Sequence, residues 1–278
     1  HEPWQLAAAE RNWRTVRAEY GQVPGGMFGA DEQYRPGYTG PRQAIETCGI
    51  VEEMLSDEQM LQITGNPIWA DRAEDVAYNS LTAAVLPDFS GLRYLTAPNQ
   101  PQSDGASKAP GIRNKGAMFL MSPSRYRCCQ HNFGHGWPYL ASSLWFATSD
   151  NGLAALFYSE SGVTAKVGSP ATEVKIAEST HYPFDESVRL HLSLGGAARF
   201  PLYLRVPAWC RTPEVRVNRQ AAKIDGEAIR GLIVLERTWR DGDLVELRLP
   251  MEIALRHWTK NHDSVSIDRG PLTFSLQI

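Results

Sequence analysis

The sequence predicts an α+β, multidomain chain with helices first and an antiparallel β-sandwich second. Apolar residues recur at helical spacing through the first half, and after Asn151-Gly152 the period drops to two. Short strands separated by turn dipeptides such as Asp225-Gly226 and Asp241-Gly242 are the pattern of a sandwich. With 278 residues, 42% of them hydrophobic and 21% charged, the chain can bury one large core or two.

From Trp4 to Tyr20 the stripe Leu6, Ala9, Trp13, Val16 and Tyr20 predicts a helix stopped by Gly21. Residues 21–41, punctuated by Pro24-Gly25-Gly26 and Pro36-Gly37, predict a long loop carrying acids and aromatics. Helices are expected over Ile45 to Ile63 and Pro67 to Leu86, the second with the stripe Ala73, Val76, Ala77, Ser80, Leu81 and Ala84. A short strand is expected at Leu92 to Leu95, and a last helix from Asn132 or Trp137 to Phe146, just after the Cys128-Cys129 pair. Beyond Asn151 the expected strands are Leu153 to Tyr158, Val188 to Leu194, Leu202 to Val206, Val215 to Val217, Leu232 to Trp239 and Leu244 to Leu249. The scattered His181, His191, His257 and His262 read as structural, and Cys210 as a buried or partly buried thiol.

A formal net charge of -3 gives no electrostatic footprint for nucleic acid, which needs clustered Lys and Arg. No apolar run is long enough for a membrane helix, and His1-Glu2-Pro3-Trp4 is not a signal peptide. Without an initiator Met, and with an apolar, strand-like end at Leu276-Gln277-Ile278, the chain is expected to be a piece of a longer protein.

Three of the four cysteines fall into two clusters, Glu46-Thr47-Cys48 and Cys128-Cys129. Adjacent cysteines rarely pair, because a disulfide needs Cα atoms about 4.4–6.8 Å apart with a defined torsion. Zinc takes about four ligands from Cys, His and carboxylate, and Glu46, Cys48, Cys128 and Cys129 supply that number if the fold joins the two clusters. The plain alternative is that these are buried small hydrophobes. A second alternative draws His131 and His135, at i and i+4, into a local metal cluster with Cys128 or Cys129, though Gly134 weakens a helix there. A Cys-His protease has no oriented third member to support it. Asp31 and Glu32, fourteen residues before Glu46 if counted from Glu32, are either solvated surface or an acid facing the same cleft. Phe28, Tyr34 and Tyr38 in the same loop could stack on sugar rings.

The order Pro24-Gly25-Gly26-Met27-Phe28-Gly29-Ala30-Asp31-Glu32, Glu46-Thr47-Cys48, Leu61 to Gly65, Ala70-Asp71, Glu74, Tyr78-Asn79 and Cys128-Cys129 ahead of Asn132 resembles glycoside hydrolase family 127. That family includes β-L-arabinofuranosidases. The resemblance continues through Leu156-Phe157-Tyr158, Thr180-His181-Tyr182-Pro183-Phe184, Leu204-Arg205-Val206-Pro207-Ala208-Trp209 and Arg269-Gly270-Pro271-Leu272, and so covers essentially the whole chain.

The resemblance implies a partial (α/α)6 barrel followed by an antiparallel β-sandwich, with residues 1–147 the C-terminal portion of the barrel and 148–278 the sandwich region. It implies a retaining hydrolase of the β-L-arabinofuranosidase type acting on an oligosaccharide or plant-derived glycan, with a Zn2+-bound cysteine as nucleophile. By position, Cys128 is the nucleophile, Glu46, Cys48 and Cys129 are the other zinc ligands, Glu32 is the general acid/base, and Tyr94 lines the sugar pocket. His131 is assigned a sugar contact or a place behind the ligands. Three departures stand beside this. About four helices are present where the barrel needs twelve, so the fragment alone is expected to be inactive. Gln130-His131-Asn132 replaces the commoner Pro-Pro-Asn, which leaves the sugar open, and Asp31 stands next to Glu32. The competing function is a non-catalytic carbohydrate-associated protein with a structural Cys3Glu zinc site. Cytoplasm and periplasm both remain open, as does assembly into a homo-oligomer.

Overall fold

The computed structural model describes residues 2–20, 24–25, 45–97, 127–222 and 231–276. Asp31, Glu32 and the loop aromatics Phe28, Tyr34 and Tyr38 lie outside these residues. By internal contacts the chain forms two compact units. The first comprises His1–Ser56, Asp75–Pro138 and Ala254–Ile278, and the second Asp57–Glu74 and Tyr139–Ile253.

In chain order the elements begin with helix α1 (Pro3–Tyr20), strand β1 (Ile45–Glu46), helix α2 (Thr47–Thr64) and helix α3 (Ile68–Asp75). A π-helical turn (Val76–Leu81), strand β2 (Leu95–Thr96) and helix α4 (Arg127–Ser142) follow. No helix among the described residues is long and apolar enough to cross a membrane.

Two helices differ from expectation. The stripe from Ala73 to Ala84 is buried as the spacing predicts, but the helix widens to π geometry at Val76. The Asn79 amide donates to the Asp75 carbonyl at 2.8 Å and to the Pro271 carbonyl at 2.9 Å, and its oxygen accepts from the Thr273 N–H at 2.8 Å. A side chain inserted into the backbone ladder is a recognised cause of such a bulge. Helix α4 begins five residues before Asn132, so the cysteine pair sits in its first turn rather than ahead of it. Gly134, Gly136 and Pro138 weaken the helical signal, and at Gly136 a Cβ would lie 2.7 Å from Leu81 Cδ2, so the Leu81 side chain would have to shift.

The second unit holds two sheets. Strands β3 (Trp145–Ala147), β4 (Leu153–Ala155), β8 (Ala198–Arg205) and β11 (Leu232–Trp239) form one in the order β11-β8-β4-β3. Strands β5 (Ser161–Val167), β6 (Thr172–Thr180), β7 (Ser187–Leu194), β9 (Glu214–Val217), β10 (Gln220–Ala221) and β12 (Leu244–Arg248) form the other, β10-β9-β12-β7-β6-β5. The six-stranded sheet is antiparallel throughout. In the four-stranded sheet β4 runs parallel to β8, with Ala154 opposite Tyr203, which corrects the purely antiparallel expectation. The intervening chain builds three strands of the other sheet before returning, so no tight hairpin forces antiparallel pairing. Burial alternates along β7 and β8, with Val188, Leu190, Leu192 and Leu194 inward on one and Phe200, Leu202 and Leu204 on the other. The expected strand to Tyr158 stops at Ala155, because the Leu156 carbonyl turns to accept from Arg205 Nε and the Tyr158 hydroxyl donates to the Arg205 carbonyl.

Strand β6 carries one misfit, Glu178, at an inward position otherwise occupied by Val174 and Ile176. The Ser159 N–H and the Ser161 hydroxyl donate to its carboxyl, but burial pushes its pKa up to about 8. Between the ordinary carboxylate value and pH 8 the folded state holds a proton that the unfolded chain has released, so stability falls as pH rises through that window. Each pH unit of that difference is worth about 1.4 kcal/mol. Glu178→Gln is expected to flatten this slope, making the variant more stable than the parent at pH 9 and the two closer by pH 5. Urea unfolding midpoints across that range check it, and parallel curves would contradict it.

A last sheet in chain order comprises β13 (Ile253–Trp258), β14 (Ser264–Arg269) and β15 (Leu272–Phe274). In the first unit its polar side faces inward: Arg256 pairs with Asp75 at 2.6 Å and Asp268 at 2.9 Å, while Leu255, Val265, Ile267 and Phe274 are exposed. The histidines 181, 191, 257 and 262 are all exposed, and Cys210 is buried, its thiol pushed up to about 11 by that burial.

Candidate metal centre

The site is built where two helices begin. Strand β1 pairs antiparallel with β2, Ile45 opposite Thr96 and Glu46 opposite Leu95. The chain then turns directly into α2. An N-terminal helix N–H is left without an intrahelical partner, and that of Thr47 finds the Tyr94 carbonyl at 3.0 Å. The buried Thr47 hydroxyl donates to the Arg93 carbonyl. Cys48 is thereby fixed in the first turn of α2, as Cys128 and Cys129 are in that of α4.

Across 81 residues of sequence the Cys48 and Cys129 sulfurs come within 3.4 Å, and the Cys129 sulfur lies 3.6 Å from Glu46 Oε1. One ligand atom from each of Glu46, Cys48, Cys128 and Cys129 lies within 4.8 Å of every other. Glu46 and Cys129 are buried, Cys48 is half-buried, and Cys128 is exposed. Cys129 packs into a core cluster with Leu92, Tyr94, Leu95 and Ala97, with Cys48 and Phe133 against its edge.

The thiols do not ionise alike. The hydrogen bond between the Cys129 and Cys48 sulfurs, helped by Glu46, Cys128 and Asn132, lowers the Cys48 pKa to about 6. The same bond, with burial and the neighbouring charges, drives Cys129 far above the usual thiol range, and burial together with Cys48 raises Cys128. A bound cation would lower all three, since a coordinated thiol is deprotonated outright.

The donor set fits zinc. Bonds of about 2.3 Å to sulfur in a tetrahedron place ligand atoms about 3.8 Å apart, within the spread seen here. Soft thiolates select zinc over magnesium or calcium. The structure thus brings together the four residues expected to hold a metal. Tyr94 is buried in the adjoining cluster, and His131 is exposed on α4. Glu32 is outside the described residues. Sequence reasoning missed the roles of Thr47 and Arg93, whose bonds noted above run to backbone carbonyls, and a bond to a carbonyl leaves no signature in residue type.

Family comparison decides the affiliation. The sequence model of the β-L-arabinofuranosidase GH127 catalytic domain matches residues 1–142, and that of the GH127 middle domain matches residues 152–251. The chain belongs to glycoside hydrolase family 127. Among solved structures, this GH127 chain is similar in fold to a GH127 β-L-arabinofuranosidase from Geobacillus stearothermophilus T6. The TM-score is 0.78 at 24% identity, over 94% of this chain and 41% of that one. It is similar also to a protein described as a glycoside hydrolase, with TM-score 0.72, 24% identity, and 86% of this chain against 39% of that. A GH127 β-arabinofuranosidase gives TM-score 0.71 at 20% identity, over 90% of this chain and 40% of the other. The GH127 chain therefore spans about two fifths of the length of these relatives. No curated protein matches it.

Proposed function

We propose that this chain carries the catalytic centre of a retaining glycoside hydrolase of the β-L-arabinofuranosidase type, with Cys128 as nucleophile and Glu32 as general acid/base. Residues 1–147 are read as the C-terminal portion of an (α/α)6 barrel and 148–278 as a β-sandwich region. The observation that carries the reading is the unequal exposure within the four-donor group. Of its three thiols Cys128 is the exposed one, so a sugar can reach it while Glu46, Cys48 and Cys129 serve as ligands. Bound zinc would hold the Cys128 sulfur as thiolate at neutral pH and make it a competent leaving group in the second step.

The chain's own residues supply the rest. The Cys128 sulfur attacks the anomeric carbon while the Glu32 carboxyl gives its proton to the departing glycosidic oxygen. Glu32, now carboxylate, takes a proton from water, which displaces the sulfur from the sugar with a second inversion. Tyr94 and His131 are assigned to the sugar pocket, and the substrate is an oligosaccharide or glycan.

The acid role is tested by leaving group. Glu32→Gln is expected to lose turnover on alkyl glycosides but still to form the glycosyl-enzyme from glycosides whose leaving groups depart unprotonated, with azide restoring release of the sugar. Equal loss of that first step on both substrate types, or no rescue by azide, would remove Glu32 from the mechanism. A second reading, a structural zinc site in a non-catalytic protein, is favoured by the closed set of four donors. It predicts no hydrolysis on either substrate type with Glu32 intact.

A further inference from the structure

We propose that Arg93 is a positioning residue for the Glu46, Cys48, Cys128 and Cys129 cluster, an inference that rests on the metal reading above. Residues 92–97 are the platform on which both halves of the cluster stand. One half is attached by hydrogen bonds, the Thr47 N–H to the Tyr94 carbonyl at 3.0 Å, the Thr47 hydroxyl to the Arg93 carbonyl, and the pairing of Glu46 with Leu95. The other half is attached by packing, with Cys129 buried among Leu92, Tyr94, Leu95 and Ala97.

What fixes the platform is the Arg93 guanidinium. Its Nη1 donates to the Ala83 carbonyl at 2.6 Å and the Val85 carbonyl at 2.7 Å, and the Arg93 N–H donates to the Ala84 carbonyl at 2.7 Å. These carbonyls follow the π-helical turn, at the end of a helix where no further N–H from within the helix reaches them. Val85 also bridges to Leu92. Arg93 thus ties a helix end to the strand that orients Glu46 and Cys48 against the cysteine pair. Thr47 is the second link, since its hydroxyl meets Arg93 through the backbone. Partners behind metal ligands commonly change metal affinity by about 10–100-fold when removed.

The test compares Arg93→Gln, Arg93→Lys and Thr47→Val with the parent in the full-length protein. Arg256→Gln, which breaks the Asp75 and Asp268 pairs in the same compact unit, controls for lost stability. Zinc affinity is read by competition with a chromophoric chelator, and site geometry by the thiolate-to-metal bands of the cobalt-substituted protein. In the metal-free protein, two equivalents of ferricyanide take two electrons from a pair of thiols, with release of two protons, to form a disulfide. Peptide mass spectrometry then gives the rate at which Cys48 is linked to the 128–129 pair. Arg93→Gln is expected to weaken zinc binding by about tenfold or more, to shift the cobalt bands and to slow the cross-link severalfold. Arg93→Lys, with fewer and less rigidly placed donors, falls between, and Arg256→Gln leaves all three readouts at the parental value. Unchanged affinity and cross-linking in Arg93→Gln, or an equal loss in Arg256→Gln, overturns the proposal. Should the parent itself bind no zinc, the metal reading fails, and the cross-linking rates alone decide whether Arg93 positions the cluster.

Discussion

Serine in place of Cys128 is expected to abolish glycoside hydrolysis, lowering turnover by more than about a thousandfold in the complete enzyme, as loss of a covalent nucleophile does. A serine hydroxyl is far less acidic than a thiol and a poorer zinc ligand, so the attacking anion is lost along with part of the metal site. Cys210→Ala is the matched control. Its thiol is buried and held protonated, outside the four-donor group, and its removal is expected to leave turnover unchanged. Steady-state rates on an activated arabinofuranoside separate the two variants, and a Cys128→Ser enzyme within tenfold of the parent would rule out the cysteine mechanism.

The largest expected effect on stability comes from Arg205. Its side chain is fully buried and donates to Asp71 at 2.5 Å and to Glu74 at 2.5 Å, while Nε donates to the Leu156 carbonyl. The two carboxylates hold the guanidinium charged, well above its ordinary value, against the cost of burial. Asp71 also accepts the Ala208 N–H at 3.2 Å, and the guanidinium lies 5.7 Å from the Phe157 ring centroid. Arg205→Met strands two acids in the interior, and breaking a buried pair in this way costs about 3–5 kcal/mol. Neutralising the acids as well, in Arg205→Met with Asp71→Asn and Glu74→Gln, is expected to recover much of that loss. Denaturant midpoints check both. A single variant within about 1 kcal/mol of the parent would place the network among weakly contributing surface pairs.

The candidate site was legible in the sequence because its chemistry depends on rare residue types. Two tight cysteine clusters flanked by a glutamate admit few explanations, and the fold joins them. The ionic network was not legible, although Asp71, Glu74 and Arg205 stand in recognisable motifs. Pairing across more than 130 residues depends on tertiary placement, which local spacing does not encode. The missed strands have a related cause. Strand β6 places Glu178 where an apolar residue would have completed the alternation, and β13 to β15 turn charged residues inward and apolar ones outward. The π-helical turn was hidden because Asn79 takes its partners from Pro271 and Thr273, nearly two hundred residues away. The extent of α4 was hidden because Gly134, Gly136 and Pro138 lower the helical signal along it.

Under the proposed mechanism the sugar is carried on the Cys128 sulfur. The most direct measurement is mass spectrometry of proteolytic peptides from the complete enzyme, trapped with an activated arabinofuranosyl substrate in the Glu32→Gln background, where release of the sugar is slow. A pentosyl adduct is expected on the peptide containing Cys128, with fragment ions placing it at that residue. An adduct on Glu32-containing or Glu46-containing peptides of the parent, with Cys128 unmodified, would make the cysteines zinc ligands only and the enzyme a two-carboxylate glycosidase.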